Sequence, residues 1–440
     1  MELKDKLLSS FMVFEDRVNN HQSKSINEIR NTAIKTFQQK GFPTKRDEDW
    51  KYTSLNALLK HDYTISPQQE TAIEFKEVKK YFIHDIDTYK IVFIDGKYSS
   101  FLSETTHDGI DVCLMSSALN KPKYKIIMDS YYNKAAKADH SLTSLNTAFA
   151  SEGAYIHIPR NKVVEKPIQI VHFSTGSEAS MMLQPRNLIV VDENSHVQII
   201  ERHQSLTSNV VLTNSVTEVF ANKRAIVDYY KIQNDNQDAS LIDNTFISQK
   251  QSSNVSVHTF SFGGKLVRNN LQFFQKGERI DSTMKGITII GDKQHVDHNT
   301  LVHHIEPNCE SHQDYKGIFG DRSTGVFNGK VIVEKEAQKT NAFQANNNIL
   351  VDDKATINTK PQLEIFADDV KCSHGCTIGQ LDKDALFYLR SRGIPEKEAK
   401  ALLMYAFANN VLESVKISAI KTRITKLIAQ KLGVNLGFDL

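Results

Sequence analysis

The sequence predicts a mainly β protein, with a parallel β-helix core held between N-terminal and C-terminal helical regions. Three observations point there. From about Gly153, short β-rich runs alternate with polar turns for more than 200 residues, and no long helical pattern interrupts them. Within that stretch a unit of strand, tight polar corner and strand recurs. One such unit cannot bury its own apolar face, whereas stacked copies can. Helical periodicity is confined to the two ends. A β-sandwich of the same strand content is the structural alternative.

The elements follow in order. Leu3, Leu7, Phe11, Phe14 and Val18 fall three and four apart, which places them on one face of a first helix. Ser25 and Glu28 have the spacing of a capping box. Ile26, Ile29, Ala33 and Phe37 form the stripe of a second helix, and Gly41 with Pro43 ends it. A polar segment, Arg46 to Tyr52, holds the only Trp, Trp50. Ile91-Val92-Phe93-Ile94 followed by Asp95-Gly96 reads as a hairpin, and Leu142 to Ala150 as a short helix. These elements make an N-terminal region of residues 1–150.

The expected core covers 151–380. Its strands include Tyr155-Ile156-His157-Ile158, Ile168-Gln169-Ile170-Val171, Leu188-Ile189-Val190-Val191 and Gly329-Lys330-Val331-Ile332-Val333. The repeat shows at three corners. Asp192 to Ser195 separates Val190-Val191 from His196-Val197, Ala221 to Arg224 separates Val219-Phe220 from Ala225-Ile226, and Asp352 to Lys354 separates Leu350-Val351 from Ala355-Thr356.

Helix returns in the C-terminal region, 381–440. A short helix contains Leu386 and Leu389 and stops at Gly393, and Pro395 suits the first turn of the next. A last helix carries Ile417, Ile420, Ile424, Leu427 and Ile428 on one face, among Lys416, Lys421, Arg423, Lys426 and Lys431. That face either docks on its own domain or binds a partner.

Composition excludes several classes of function. Lys plus Arg number 54 and Asp plus Glu 52, so a net charge of +2 offers no general attraction to nucleic acid or an anionic membrane. Charges recur through MELKDKLLSSFMVFEDRV, which therefore lacks the apolar stretch of a signal peptide. Aliphatic runs such as Ile91–Ile94 fall far short of the ~20 residues of a spanning helix. Four cysteines, Cys113, Cys309, Cys372 and Cys376, do not make a disulfide framework in a chain of this size. A cytoplasmic setting is expected. Neither a phosphate-binding loop nor a dinucleotide fingerprint occurs, so any nucleotide chemistry must come from a partner.

Cys372-Ser373-His374-Gly375-Cys376 is the densest group of soft ligands. On a strand, the period of two puts Cys372, His374 and Cys376 on one face. Thiolate and imidazole suit zinc, ferrous iron or an iron–sulfur cluster. The spacing matches neither ferredoxin patterns nor a zinc ribbon, so one chain supplies an incomplete set, and a site shared across an interface or used in passing fits better. Buried structural thiols are the plainer reading. A second patch, His295, His298, His303, His304, Cys309 and His312 with Asp297, Glu306, Glu310 and Asp314, could bind metal or simply furnish turns and corners.

The run Asp368 to Gly375, continuing through Gly379, Leu381, Asp382 and Phe387-Tyr388-Leu389-Arg390-Ser391-Arg392-Gly393-Ile394, is similar to the signature of the SufB/SufD family of iron–sulfur cluster assembly proteins. Lys316-Gly317-Ile318, Val326 to Gly329, Ala337 to Thr340 and Pro361 to Glu364 fit the same family, in the same order. Two features resemble its SufD side: the N-terminal segment Glu48 to Thr53, and Leu389 at the place where SufB-type chains carry a sulfur-accepting Cys.

The resemblance implies a right-handed parallel β-helix core flanked by N- and C-terminal helical regions. It implies a non-catalytic scaffold subunit that pairs with a SufB-type paralogue, or with itself when alone, and docks a SufC-type ATPase through the C-terminal helices. It further implies a transient iron–sulfur cluster or iron at the interface with SufB, with no nucleotide bound by this chain. The ligand candidates carried over are His374 and Cys372. Cys376 departs from the family pattern and has no inherited role. The competing readings are a homodimeric SufB-like scaffold, a structural zinc protein using residues 372–376, and a secreted polysaccharide-cleaving β-helix. For the last, neither an export signal nor a carboxylate constellation is present.

Overall fold

The computed structural model describes residues 2–19, 24–65, 71–83, 85–104, 109–136 and 140–434. Its centre is a flattened parallel β-solenoid. From strand Arg186–Val191 onward, strands alternate between two sheets, so that each pairs in parallel with the strand two places on in sequence. His196 pairs with Ile226, Ile226 with Asn254, Asn254 with Asp281 and Asp281 with Glu310. Each coil therefore returns after about 30 residues, the length of one repeat unit that only stacking can stabilise.

The polar corners noted in the sequence are what turn the chain. Asn194, Arg224, Ser252, Arg279, Asn308 and Lys339 each adopt positive φ between 56° and 60°. Left-handed backbone costs a residue with a side chain about 1–2 kcal/mol. Here it aims the N–H at the next coil: Asn194 donates to the Lys223 carbonyl (3.1 Å), Arg224 to Gln251 (3.0 Å) and Ser252 to Glu278 (2.9 Å). The bend is thus offset by a ladder of corner hydrogen bonds.

Inward residues of both sheets form the main core, including Ile168, Ile170, Val197, Ile199, Val227 and Val257 from one and Ile189, Val219, Ile247, Phe273 and Val302 from the other. The outer faces are apolar too, and the two ends of the chain cover them. Leu3, Leu7, Phe11 and Phe14 of helix Leu3–Asn19 pack with Leu145 and Phe149 of helix Ser141–Phe149 over Met182, Leu212 and Ile242. Helices Glu396–Glu413 and Ser418–Leu432 lay Met404, Val411, Ile420, Ile424 and Ile428 over Ile200, Tyr230, Ile232, Phe260 and Ile287 of the other sheet. Of the two readings of the last amphipathic helix, docking on its own domain is the one realised.

The second helix spans Lys24–Lys40, so Ser25 lies in its first turn, while Gly41 closes it at φ 66°. Strands Tyr89–Ile94 and Lys97–Tyr98 form the expected hairpin, with Asp95 and Gly96 both at positive φ as a type I′ turn requires. Tyr89–Ile94 also joins the solenoid, in parallel with Ile168–Ser174. Pro395 stands at the N-cap of helix Glu396–Glu413, one place ahead of the first turn.

The Trp50 segment forms a 3-10 turn, Glu48–Trp50, pinned to the solenoid. The Arg268 guanidinium lies 4.0 Å from the Trp50 ring centroid, Thr53 donates to the Asp297 carboxylate, and Glu48 pairs with Lys360. No described helix is long and apolar enough to cross a membrane.

Candidate functional site

Strand Lys371–Gly379 ends the ten-stranded sheet and, among the described residues, pairs only with Asn341–Leu350. Cys372, His374 and Cys376 stand opposite Ala342, Gln344 and Asn346, which are buried inward positions of the preceding coil. The three ligand candidates therefore share one face, the face that continues the solenoid interior. Among the described residues no further coil closes over them. Cys372 is half-buried, whereas His374 and Cys376 are exposed. A side chain added at Gly375 or Gly379 would meet nothing within 4 Å.

The opposite wall of this last coil, Thr356–Ile365, is likewise incompletely covered, and Ile365, Phe366 and Ile378 are exposed apolar groups at the same end. Unpaired strand edges with apolar side chains are a template for another chain.

The Cys372 thiol is pushed up by burial, so it is a thiol rather than a ready thiolate until a metal or cation reaches it. Successive same-face residues on a strand are nearly 7 Å apart, too far for these three to close on one ion. Among the described residues they form no group with converging ligand atoms. Leu389 sits half-buried on helix Lys383–Ser391, whose N-terminus is capped by Asp382 accepting from Asp384 and Ala385. Its neighbours Phe387 and Tyr388 are exposed.

The second predicted patch does not converge. Four of its histidines lie on strand His295–His304 and alternate between faces. His295 meets the Thr53 hydroxyl (2.9 Å), His298 points inward to Thr288 (2.9 Å), His303 meets Glu334 (2.7 Å) and His304 meets Ser311 (2.9 Å). His312 belongs to the other sheet, stacked on Phe343, and Cys309 donates to the Gly277 carbonyl. Each makes its own separate contact, His304 Nδ1 being left without a partner, and among the described residues no three of these groups converge on one point, as the structural reading of this patch expects.

Among the described residues, one group of three has ligand atoms close enough to hold a metal ion: His172, Glu201 and His203, all buried. Their strands, Ile168–Ser174 and His196–Ser205, are neighbours in one sheet, with His172 opposite His203. Sequence reasoning missed this group because His172 lies one coil away from Glu201 and His203, and spacing of that kind becomes informative only once the register is known.

Glu201 is held well below the ordinary carboxylate range: burial would raise it, but Lys231 and the two imidazoles outweigh burial. Lys231 reaches Glu201 Oε2 at 3.2 Å and Asp243 at 2.6 Å. Polar contacts continue through the interior from Gln233 to Asn269 (2.6 Å), from Asn269 to His298 (3.3 Å) and from Thr300 to Gln313 (2.7 Å).

Comparisons with known proteins bear on what this arrangement serves. Residues 172–407 match the family model described as "SUF system FeS cluster assembly, SufBD core domain", and residues 1–170 match "SufBD protein N-terminal region". An iron–sulfur cluster assembly SufBD family protein of Synechocystis is 31% identical over 395 residues, 88% of this chain and 87% of the relative. The iron–sulfur cluster assembly protein SufD of Escherichia coli is 29% identical, covering 89% of this chain and 90% of its own. SufB of Bacillus subtilis is 26% identical, covering 87% and 75%. With one family model on the solenoid and another on the N-terminal region, the chain belongs to the SufB/SufD family of iron–sulfur cluster assembly proteins.

Proposed function

We propose that this chain is the SufD-type, non-catalytic scaffold subunit of an iron–sulfur cluster assembly complex. Its solenoid end pairs with a SufB-type paralogue, and its C-terminal region, residues 381–440, docks a SufC-type ATPase. His374, with Cys372, contributes ligands to iron or a transient cluster at that interface. Cys376 shares their face and is available to the same site.

The observation that carries this reading is the open last coil. Three soft ligands stand in interior register on an edge strand that no further coil covers, and they do not close a site by themselves. A second chain paired on that edge would bury Ile365, Phe366 and Ile378 and complete the ligand set. Neutral imidazole suits incoming iron, and a paired thiol would be deprotonated on metal binding. Leu389 cannot accept sulfur, so the sulfur-bearing Cys must be the partner's. Because this chain has no nucleotide motif, ATP-driven movement falls to the docked ATPase. Exposed Phe387 and Tyr388, beside the cleft lined by Arg390, Gly393, Ile394 and Glu396, are suited to that docking.

The test is co-expression with SufB-type and SufC-type partners, followed by anaerobic, ATP-dependent cluster formation. The expected result is a stable complex whose cluster yield falls strongly with His374→Ala. Normal yield with that variant refutes the ligand role. A stable, stoichiometric cluster on the lone chain would favour the homodimeric scaffold. One tightly held zinc per chain, lost with Cys372→Ser, would favour the structural zinc reading.

A further inference from the structure

We infer that Gln344 is a positioning residue for His374: its side-chain amide oxygen accepts the N–H of one imidazole nitrogen and so turns the other nitrogen, bare, toward iron. This role rests on the proposed action of His374 as an iron ligand. It adds the residue through which the solenoid interior sets that ligand.

Register brings the two side by side. Gln344 of strand Asn341–Leu350 and His374 of strand Lys371–Gly379 are direct partners in the parallel ladder, about 4.8 Å apart at the usual strand spacing, and both occupy inward positions. One strand further in, Gln313 pairs with Gln344. Gln313, Gln344 and His374 therefore form one row across three neighbouring strands. The Gln344 side chain crosses the interior toward the opposite sheet. A Cβ at Gly329 would collide with its Nε2, so the glycine leaves room for the amide.

The amide is left without partners. Gln344 is 3% exposed, and neither its Oε1 nor its Nε2 has a hydrogen-bond partner among the described residues. The buried Nε2 of Gln313 and Oγ1 of Thr359, in the last two coils, are also unpartnered. Such groups have lost water and gained nothing in return, and in a native interior they call for an explanation.

Their chemistry is complementary. Gln313 is already oriented, because its Oε1 accepts from the Thr300 hydroxyl (2.7 Å), which leaves Nε2 to donate along the row. The Gln344 oxygen has two lone pairs. One suits the Gln313 amide and the other the N–H of His374, while Thr359 can accept from Gln344 Nε2. A neutral imidazole has one N–H and one bare nitrogen, and an acceptor for the N–H decides which nitrogen meets the metal. In the lone chain His374 is exposed and the row is not closed. A second chain laid over the open coil would exclude water from the ring and drive its N–H to the nearest protein acceptor.

The test compares the full chain alone with its complex with a SufB-type partner. Gln344→Met keeps the length of the side chain and removes the amide. In the lone chain it relieves two unpaired buried groups, so the thermal midpoint should be unchanged or higher. In the complex, titrated anaerobically with Fe²⁺ after chelator treatment, it should weaken binding at least ~10-fold. Gln344→Glu restores an oxygen acceptor and should recover most of that loss. Size-exclusion chromatography checks that each variant still pairs; should Gln344→Met fail to do so, Gln344→Leu decides by the same criteria.

A lower midpoint for the lone Gln344→Met chain makes Gln344 a structural residue and overturns the role. Undiminished Fe²⁺ binding by Gln344→Met, or no recovery with Gln344→Glu, overturns it equally. His374→Ala tells the two levels apart. If it weakens Fe²⁺ binding while Gln344→Met does not, the ligand reading stands and the positioning role falls. If it leaves Fe²⁺ binding unchanged, both fall.

Discussion

Replacing Glu218 with alanine tests how the N-terminal region is fastened to the solenoid. The Glu218 carboxylate is fully buried and lies 2.6 Å from Arg186 Nη2, itself fully buried. It also accepts the backbone N–H groups of Asn133 (2.8 Å), Ala135 (2.8 Å) and Ala136 (3.0 Å). Arg186 donates to Thr147 (2.9 Å) and lies over the Tyr132 ring. The Glu218–Arg186 pair thus ties residues 132–136 and Thr147 to two adjacent strands.

Removing one partner of a buried ion pair costs about 3–5 kcal/mol, because the other charge is left uncompensated. The three freed N–H groups add about 1 kcal/mol each at the low end, in part relieved by local opening. The expected loss is therefore at least ~4 kcal/mol. Glu218→Gln keeps an acceptor for the amides and should fall in between. Urea unfolding followed by circular dichroism measures both. A loss below ~1 kcal/mol for Glu218→Ala, at unchanged m-value, would refute the reasoning.

Three further outcomes follow from the same structure. His298 and His304 are buried with their pKa pushed down by desolvation to about 4 and about 3. Below about 6.5 the unfolded chain binds protons that the folded chain refuses, so stability is full above that pH and falls toward pH 4, by up to about 1.4 kcal/mol per pH unit for each group. His304→Gln should flatten that slope in pH-dependent urea titrations; an unchanged slope would remove His304 from the account. Gly153 has φ 149°, and a Cβ there would lie 1.9 Å from the Arg186 carbonyl oxygen, so Gly153→Ala should cost more than ~3 kcal/mol or prevent folding; soluble protein with a near-native thermal midpoint would contradict this. Ile378→Asp with Phe366→Asp should weaken association with a SufB-type partner at least ~10-fold while changing stability by less than ~0.5 kcal/mol, and unaltered affinity would argue against pairing through the open end.

Much of this architecture is written locally. The period of two in runs such as His196-Val197-Gln198-Ile199, and the polar corner at Asp192–Ser195, depend on neighbours in sequence and identify coil and bend directly. The stripe Ile420, Ile424, Leu427 and Ile428 identifies a helix, and the same-face placement of Cys372, His374 and Cys376 needs only the geometry of a strand. Tertiary structure decided the rest. Whether the last stripe met its own solenoid or another chain depended on Ile200, Tyr230 and Phe260, which lie about 200 residues earlier. The openness of the Cys372–Cys376 coil is a property of the stack's end, which no local pattern marks. The His172–Glu201–His203 group exists only because register sets positions one coil apart side by side, and pairing across coils is a long-range choice that the buried faces of the whole solenoid make together.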